Sequence, residues 1–428
     1  MMKINAIIKE LKKYDKITDY AIDETISKSC EQFYDLQKLE TARETLTDEI
    51  NVRIYTVLKE NDKKYLGNAS FIVSHKLSKK ELDTLIEDAI YQASFVKNEY
   101  YEIPSGEKKL SFKQKPEAKE PFELLQNIAD IFFSEKTDEC MFNALECFYY
   151  EKEIRLVNSR GVDYKKTIHN FRVEAIPSFK KLNGTRSDAS ELYRMFKYDT
   201  YDENKIKEDA KRAISSVLNR SKATKINEEL KVNVILKDEE ILEMAEELIY
   251  SYHYADVYKH TNFKNIGDSI QENPVNPLTI SYIPASKADY FDSDGVLLKE
   301  AVIIEDGKVK DYYGNNRYGY YLNKKPTGTM DTVKVNPGKK TYEKMKKEPY
   351  IEITDLSGIQ VDLFGDYIGG EVRCANYFDG KNTYPITAFS FSGSLQECIN
   401  NLELSKEKTK ISYYQGPKYA LLKNMNII

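Results

Sequence analysis

Tryptophan is absent from this chain of 428 residues, histidine occurs four times and cysteine five times. The cysteines (Cys30, Cys140, Cys147, Cys374 and Cys398) are odd in number, widely spaced and without a CxxC pair. That excludes a disulfide framework or a zinc ribbon and predicts free, mostly buried thiols. Neither sign of charge is in excess: Lys+Arg 64 against Asp+Glu 69 leaves a net charge of -5. Backbone-dominated nucleic-acid binding needs a net basic domain or stripe, so direct contact with nucleic acid is not expected. Long apolar runs are missing too. None approaches the roughly 20 residues that span a bilayer, and Met1 to Lys13 mixes Ile with Lys without a signal-peptide core. The expectation is a cytoplasmic chain with no membrane contact. No Gly-x-Ser-x-Gly elbow, P-loop or Gly-x-Gly-x-x-Gly occurs, which removes the commonest motif-borne hydrolase and nucleotide chemistries.

What is present describes a folded globular protein: 41% hydrophobic, 31% charged, with 33 Tyr and 18 Phe. Tyrosine buries its ring while its hydroxyl stays wet, which suits sheet faces and water-lined cavities. At roughly 150 residues per domain, the length predicts two or three domains. Ser78 and Glu81 form a capping box, after which Leu82, Leu85, Ile86, Ala89, Ile90 and Ala93 share one helical face. Ile206, Ala210, Ala213, Ile214, Val217 and Leu218 repeat the design in a helix over 203–218. Each helix follows two β-like runs joined by a turn. The first pair is Glu49 to Leu58 and Tyr65 to Val73 about Asn61-Asp62; the second is Glu151 to Val157 and Thr167 to Ile176 about Asn158-Ser159-Arg160-Gly161.

This pattern predicts an α+β protein whose N-terminal α/β domain, residues 1–225, repeats strand, strand, helix. Pro104 to Pro121 reads as a connecting segment leading into a helix over 122–133. A polar stretch from Ser221 to Glu229 marks the boundary, and the domain over 226–428 reads as mainly β. Its signals are a strand at Val232 to Leu236, an Asp238 cap with a helix from Glu239 to about Tyr252, and strands at Ile351 to Leu356 and Thr387 to Phe391. Asp306-Gly307 and Asp379-Gly380 mark hairpin turns.

Residues able to carry chemistry are few. His253 and His260 lie seven apart, about 10.5 Å along a continuous helix and too far to share a metal ion, so they read as a polar helix end and a loop. His75 and His169 fall in β-like runs and read as sheet-surface residues. Glu239, Glu240, Glu243, Glu246 and Glu247 crowd one helix; Glu243 and Glu247 are spaced to face one ion, but such a run more often forms a solvated face. Cys374 has no evident histidine or acid beside it and reads as a core thiol. Lys339, Lys340, Lys344, Lys346 and Lys347 follow Asn336-Pro337-Gly338 and read as an exposed loop. These residues alone reach a soluble two-domain α+β protein without a visible catalytic motif.

The order of motifs in the second half is more specific. Phe291-Asp292-Ser293-Asp294-Gly295-Val296, then Ile303 to Val309 and Pro326-Thr327-Gly328, resembles the DDEGV, IEDG and STG series of the TldD/PmbA family. Ile353 to Gly358, Gly365-Asp366-Tyr367, Tyr384 to Thr387 and Ser392 to Leu395 resemble its C-terminal block, and Asn158 to Gly161 its N-S-x-G turn. The resemblance implies one of two subunit kinds. The TldD kind is a zinc peptidase with HExxxH on a helix and a Cys near the C-terminus; the TldE (PmbA) kind lacks both and pairs with it. Lys259 to Gly267 resembles the TldE kind. Counting back from Gly267 puts Glu243 and Glu247 at the histidine positions and Met244 at the position of the base, and no Cys follows Cys398. The third-ligand segment is shortened to Tyr414-Gln415-Gly416-Pro417. The resemblance therefore implies no catalytic residue, no metal and no cofactor in this chain. It implies a non-catalytic partner in a heterodimeric chamber where a TldD-like peptidase cleaves unfolded peptides, or a homodimer in isolation. Two alternatives stay open: an active metallopeptidase with a non-standard site on Glu243 and Glu247, and a gyrase-modulating binding protein, after the family's older description.

Overall fold

The computed structural model describes residues 3–117, 119–179, 191–226 and 229–428. The first half contains α1 (Ile4–Leu11), β1 (Asp19–Asp35), β2 (Lys38–Glu60), β3 (Lys63–Val73), α2 (Lys79–Ala93), β4 (Asn98–Glu99) and β5 (Lys109–Lys113). It continues with α3 (Pro121–Ser134), β6 (Cys140–Asn158), β7 (Asp163–Phe179), β8 (Arg194–Tyr198) and α4 (Glu203–Lys222). All the strands lie in one sheet, ordered β4-β3-β2-β1-β6-β7-β5, with β8 also on β7. Asn61 and Asp62 both adopt positive φ, 47° and 64°, as a tight hairpin turn requires. The Ser78–Glu81 capping box forms, and Asp202 caps α4. The two strand-strand-helix units occupy opposite ends of this sheet. Ile22, Ile50, Val52 and Ile54 pack with α1 and α2 at one end. Phe142, Cys147, Phe171 and Val173 pack with α3 and α4 at the other.

The segment read as a connection, Pro104 to Pro121, contains strand β5, which runs parallel to Asp163–Thr167. Its lysines obscure it in the sequence, and lysine is the residue that blunts an exposed edge strand.

The second half contains β9 (Thr224–Lys225), β10 (Leu230–Lys237), α5 (Asp238–Ile249), α6 (Tyr254–Tyr258), β11 (Ile280–Ile283), β12 (Ala301–Glu305), β13 (Lys308–Val309), α7 (Asn316–Tyr321), β14 (Thr332–Val335) and α8 (Tyr342–Met345). Then follow β15 (Tyr350–Asp362), β16 (Tyr367–Phe378), β17 (Thr383–Thr387), β18 (Phe389–Ser394), α9 (Leu395–Asn401), β19 (Glu403–Leu404), β20 (Lys408–Ile411), β21 (Tyr414–Pro417) and β22 (Tyr419–Ile427). One sheet runs β15-β10-β22-β18-β16-β17-β9 with an added β15–β16 pairing, which closes its first five strands into a ring; a second runs β13-β12-β11-β14-β21-β20. Met244 and Leu248 of α5 share one core with Val234, Val333 and Leu422, so the helix is packed against both sheets. The chain passes from the first sheet to this set between α4 and β9, inside the polar stretch; Asn227 and Glu228 of that stretch lie outside the described residues.

Four local expectations are corrected. Asp238 is the first residue of α5 rather than its cap, because it turns inward to Arg212 (3.4 Å). The helix stops at Ile249 and tightens into a 3-10 turn over Tyr250–Tyr252. Thr387 to Phe391 is not one strand: Ala388 has φ 57° and separates β17 from β18. The lysine run is no simple loop, since it contains α8, Lys340 pairs with the buried Glu403 (2.6 Å) and Lys346 lies 4.1 Å over the Tyr342 ring.

Candidate functional site

Helix α5 is amphipathic. Ile241, Met244, Ala245 and Leu248 are buried in the core, which turns Glu239, Glu240 and Glu243 to the other side. That side is the wall of a cavity of about 810 Å³, bounded also by β8, α4, Thr354–Leu356 of β15 and residues 410–413. Glu239 and Glu243 stay exposed, as expected of a solvated face, and Glu240 is the partly buried member of the run's first half.

The cavity is densely charged. Arg212 of α4 lies 3.5 Å from Asp209, 3.4 Å from Asp238 and 3.7 Å from Glu239. Lys205 meets Asp209 at 2.8 Å and Lys410 meets Asp199 at 3.6 Å. Arg194 donates to Oδ1 of the buried Asp355 (3.0 Å); Oδ2 of Asp355 has no hydrogen-bond donor, although Arg220 stands 3.8 Å away. Lys197 donates to the Tyr413 hydroxyl at 3.0 Å. Burial, helped by the neighbouring Glu239, pushes the Glu240 carboxyl up to about 7.

The positions assigned to the HExxxH motif do not converge. Glu243 lines the cavity and accepts the Ile359 N–H at 3.1 Å. Met244 is 2% exposed and faces the core. Glu247 lies outside the cavity, its carboxyl raised by burial and by Glu243. A six-residue motif starting at Glu243 ends, moreover, on Leu248 rather than Glu247, and Leu248 is buried in the core. A thioether in the core and a carboxylate bound to backbone do not fit a zinc ion, and among the described residues no three His, Cys, Asp or Glu side chains group to hold a metal. The shortened segment does come near: Ser412 and Tyr413, just before Tyr414, line the same cavity as Glu243.

The histidines lie elsewhere. His253 precedes α6 and its Nδ1 accepts the Ala255 N–H (3.1 Å), while His260 follows it at φ 59°. His75 sits just past β3 and faces Asp48 at 2.7 Å. His169 is buried in β7, 2.9 Å from the Tyr149 hydroxyl, so it is not a surface residue; burial lowers its pKa. All five cysteines are buried and free, and Cys374 is a core thiol with its pKa raised by burial.

The motif residues are scaffold. Asn158 Oδ1 accepts the N–H groups of Arg160 (2.9 Å) and Val162 (3.0 Å), and Arg160 pairs with Asp19 and Glu102. Asp292 accepts N–H groups from Asp294, Val296 and Thr329, which ties the Asp292–Gly295 turn to the Pro326–Gly328 segment. The cavity residues Arg194, Arg212, Asp355 and Tyr413 come from four distant segments; Asp355 falls within the Ile353 to Gly358 block, and no motif marks the other three.

Residues 229–428 match the family model described as PmbA/TldA metallopeptidase C-terminal domain. Among solved structures, TldE from Thermococcus kodakarensis matches with a TM-score of 0.77 at 16% identity, covering 99% of each chain. A protein described as a candidate modulator of a DNA gyrase from Thermotoga maritima matches with a TM-score of 0.77 at 13% identity over 100% of both chains. Another so described, from Bacteroides thetaiotaomicron, gives 0.76 at 14%, covering 100% of this chain and 99% of that one. No curated protein matches the sequence. At such identities the structural likeness establishes the fold.

Proposed function

Because the chain belongs to the TldD/PmbA family, we propose that it is a TldE-like subunit without a catalytic centre, which closes a chamber with a zinc-bearing TldD-type peptidase that cleaves unfolded peptides. What supports this reading is Met244, which the count along the sequence puts at the position of the family's base and which faces the core. A methionine has no proton-accepting group for that step. A cytoplasmic location belongs to the same reading.

The sheet edge supports a role in holding extended chains. Ile50 is the last residue of β2 paired with β3, opposite Val73, so among the described residues Lys38–Glu49 pairs only with β1 and leaves its other edge open. An open edge binds an extended chain through main-chain hydrogen bonds with little regard for sequence.

The test is co-expression with an HExxxH-bearing family member from the same organism. A one-to-one complex should co-purify, and cleavage of an unfolded peptide should require the complex. Zinc retained by the isolated chain at one ion per chain after dialysis, together with peptide cleavage by that chain alone, would overturn the reading.

A further inference from the structure

Helix α7 holds an arginine without a counter-ion. Among the described residues every other arginine pairs with a carboxylate, except the exposed Arg373, which donates to the Ser357 hydroxyl at 2.9 Å. Arg317 is half-buried, and its guanidinium carbon lies 5.2 Å from the ring centre of Tyr318, 5.6 Å from that of Tyr321 and 6.0 Å from that of Tyr101. Its Nε donates to the Tyr321 hydroxyl (3.1 Å), which in turn donates to the Glu99 carbonyl (2.7 Å). Asn316 donates to the Glu102 carbonyl (2.6 Å), so both ends of the helix are clamped to the 99–102 segment. Nη1 and Nη2 are left without an acceptor among the described residues, and both reach solvent. The nearby carboxylates are engaged elsewhere: Glu102 with Arg160 (2.9 Å), Asp294 with Arg53 (3.1 Å), and Glu99 facing the Tyr258 hydroxyl. Tyr101, only 8% exposed, has a hydroxyl that makes no hydrogen bond among the described residues. Rings that shield the faces of a guanidinium leave its edge for an anion, and a planar fork held in place matches the two oxygens of a carboxylate. One unmatched positive charge suits a singly charged group of this kind.

We propose that Arg317 binds a carboxylate group, taking its two oxygens on Nη1 and Nη2, with the Tyr101 hydroxyl as a further donor. Two sources share that chemistry: the C-terminal carboxylate of a peptide, and an acidic side chain within one. That the carrier is a peptide rests on the subunit reading; the site itself is built from this chain alone and does not depend on a peptidase partner.

The experiment uses the purified full chain and fluorescence anisotropy. The probes are unstructured Gly/Ser peptides labelled with fluorescein at the N-terminus: one with a free C-terminal carboxylate, one amidated there, and one amidated but carrying two internal glutamates. A carboxylate peptide should bind about tenfold or more tightly than the neutral amidated one, as a charge-assisted contact implies. Whichever of the two shows the gain identifies the source of the carboxylate. Arg317→Gln should abolish the gain while its melting temperature stays close to the parent's, and Tyr101→Phe should reduce it. If Arg317→Gln does not fold, Arg317→Lys, which keeps the charge and loses the fork, should reduce the gain. Equal affinity for all three peptides, no binding of any probe, or a gain that survives in the folded Arg317 variants would overturn the proposal. Complex formation with a peptidase is a separate readout, so failure here and failure of the subunit reading are distinguishable.

Discussion

Glu240 holds its proton to about 7 because it sits where protein replaces water and beside Glu239 and Asp238. Across the cavity Arg212 faces this acidic group from α4, and Lys237 of β10 precedes it; neither ion-pairs with Glu240. In the unfolded chain the same carboxyl ionises near 4.5. Between those values the folded chain keeps a proton that the unfolded chain releases, so this group's contribution to stability is complete below pH 4.5 and is lost as pH rises through about 7. Glu240→Gln cannot ionise and still completes the capping box. Thermal melts should show variant and parent similar at pH 4 and the variant more stable at pH 8, by ~1–2 kcal/mol after allowance for water in the cavity. Met244 gives a second residue-level test. If absence of the base were the only defect, Met244→Glu would restore it; but the side chain faces the core, so the variant should gain no peptidase activity and lose several kcal/mol (order of magnitude) through a buried, unpaired carboxyl. A rise in activity together with bound zinc would contradict this placement.

Elements explain why some motifs are visible in the sequence and others are not. The Asn158–Gly161 turn was legible because its side chains act locally: Asn158 caps its own turn, and Gly161 takes φ 89°. Its tertiary role was not legible, for a Cβ on Gly161 would lie 2.4 Å from the Gly106 carbonyl oxygen. Gly67 carries a stricter constraint with no local sign at all. It sits in the middle of β3, where a Cβ would come 2.1 Å from the carbonyl oxygen of Ala93 at the end of α2. Gly67→Ala must therefore push the helix off the sheet. A loss of ~2–4 kcal/mol is expected by urea unfolding, in the range of overpacking and strain, and an unchanged midpoint would show that α2 can move freely. Strand β5 was missed for a related reason: its identity comes from pairing with β7, not from apolar alternation.

At the scale of the whole molecule, the family-like turn about Asp292 docks the second half on the first sheet. Arg53 of β2 meets Asp294 at 3.1 Å, and the nearly buried Lys166 of β7 donates to Asp289 (2.6 Å) and to the Phe291 carbonyl (2.8 Å). Arg194 of β8 adds the contact with Asp355 across the cavity. Lys166→Met keeps the stem and removes the charge, leaving Asp289 and the Phe291 carbonyl without their donor. It should cost ~1–3 kcal/mol, read as a lower urea midpoint, with hydrogen exchange quickening in the Asp289–Val296 segment before it quickens in the β6–β7 core. Uniform quickening across both halves would argue against a docking role.

What the amino-acid sequence determined by itself was local and periodic: the two amphipathic helices, the hairpin turns, the α+β class, and an order of motifs similar to the TldD/PmbA family. Those features depend on residues within a few positions of one another, where spacing maps directly onto a helix face or a turn. The cavity, the inward turn of Met244, the burial of His169 and the raised pKa of Glu240 were decided only by tertiary structure. Each depends on which distant segment packs opposite, and a side chain's solvation and counter-charge are properties of that neighbour rather than of its own place in the chain.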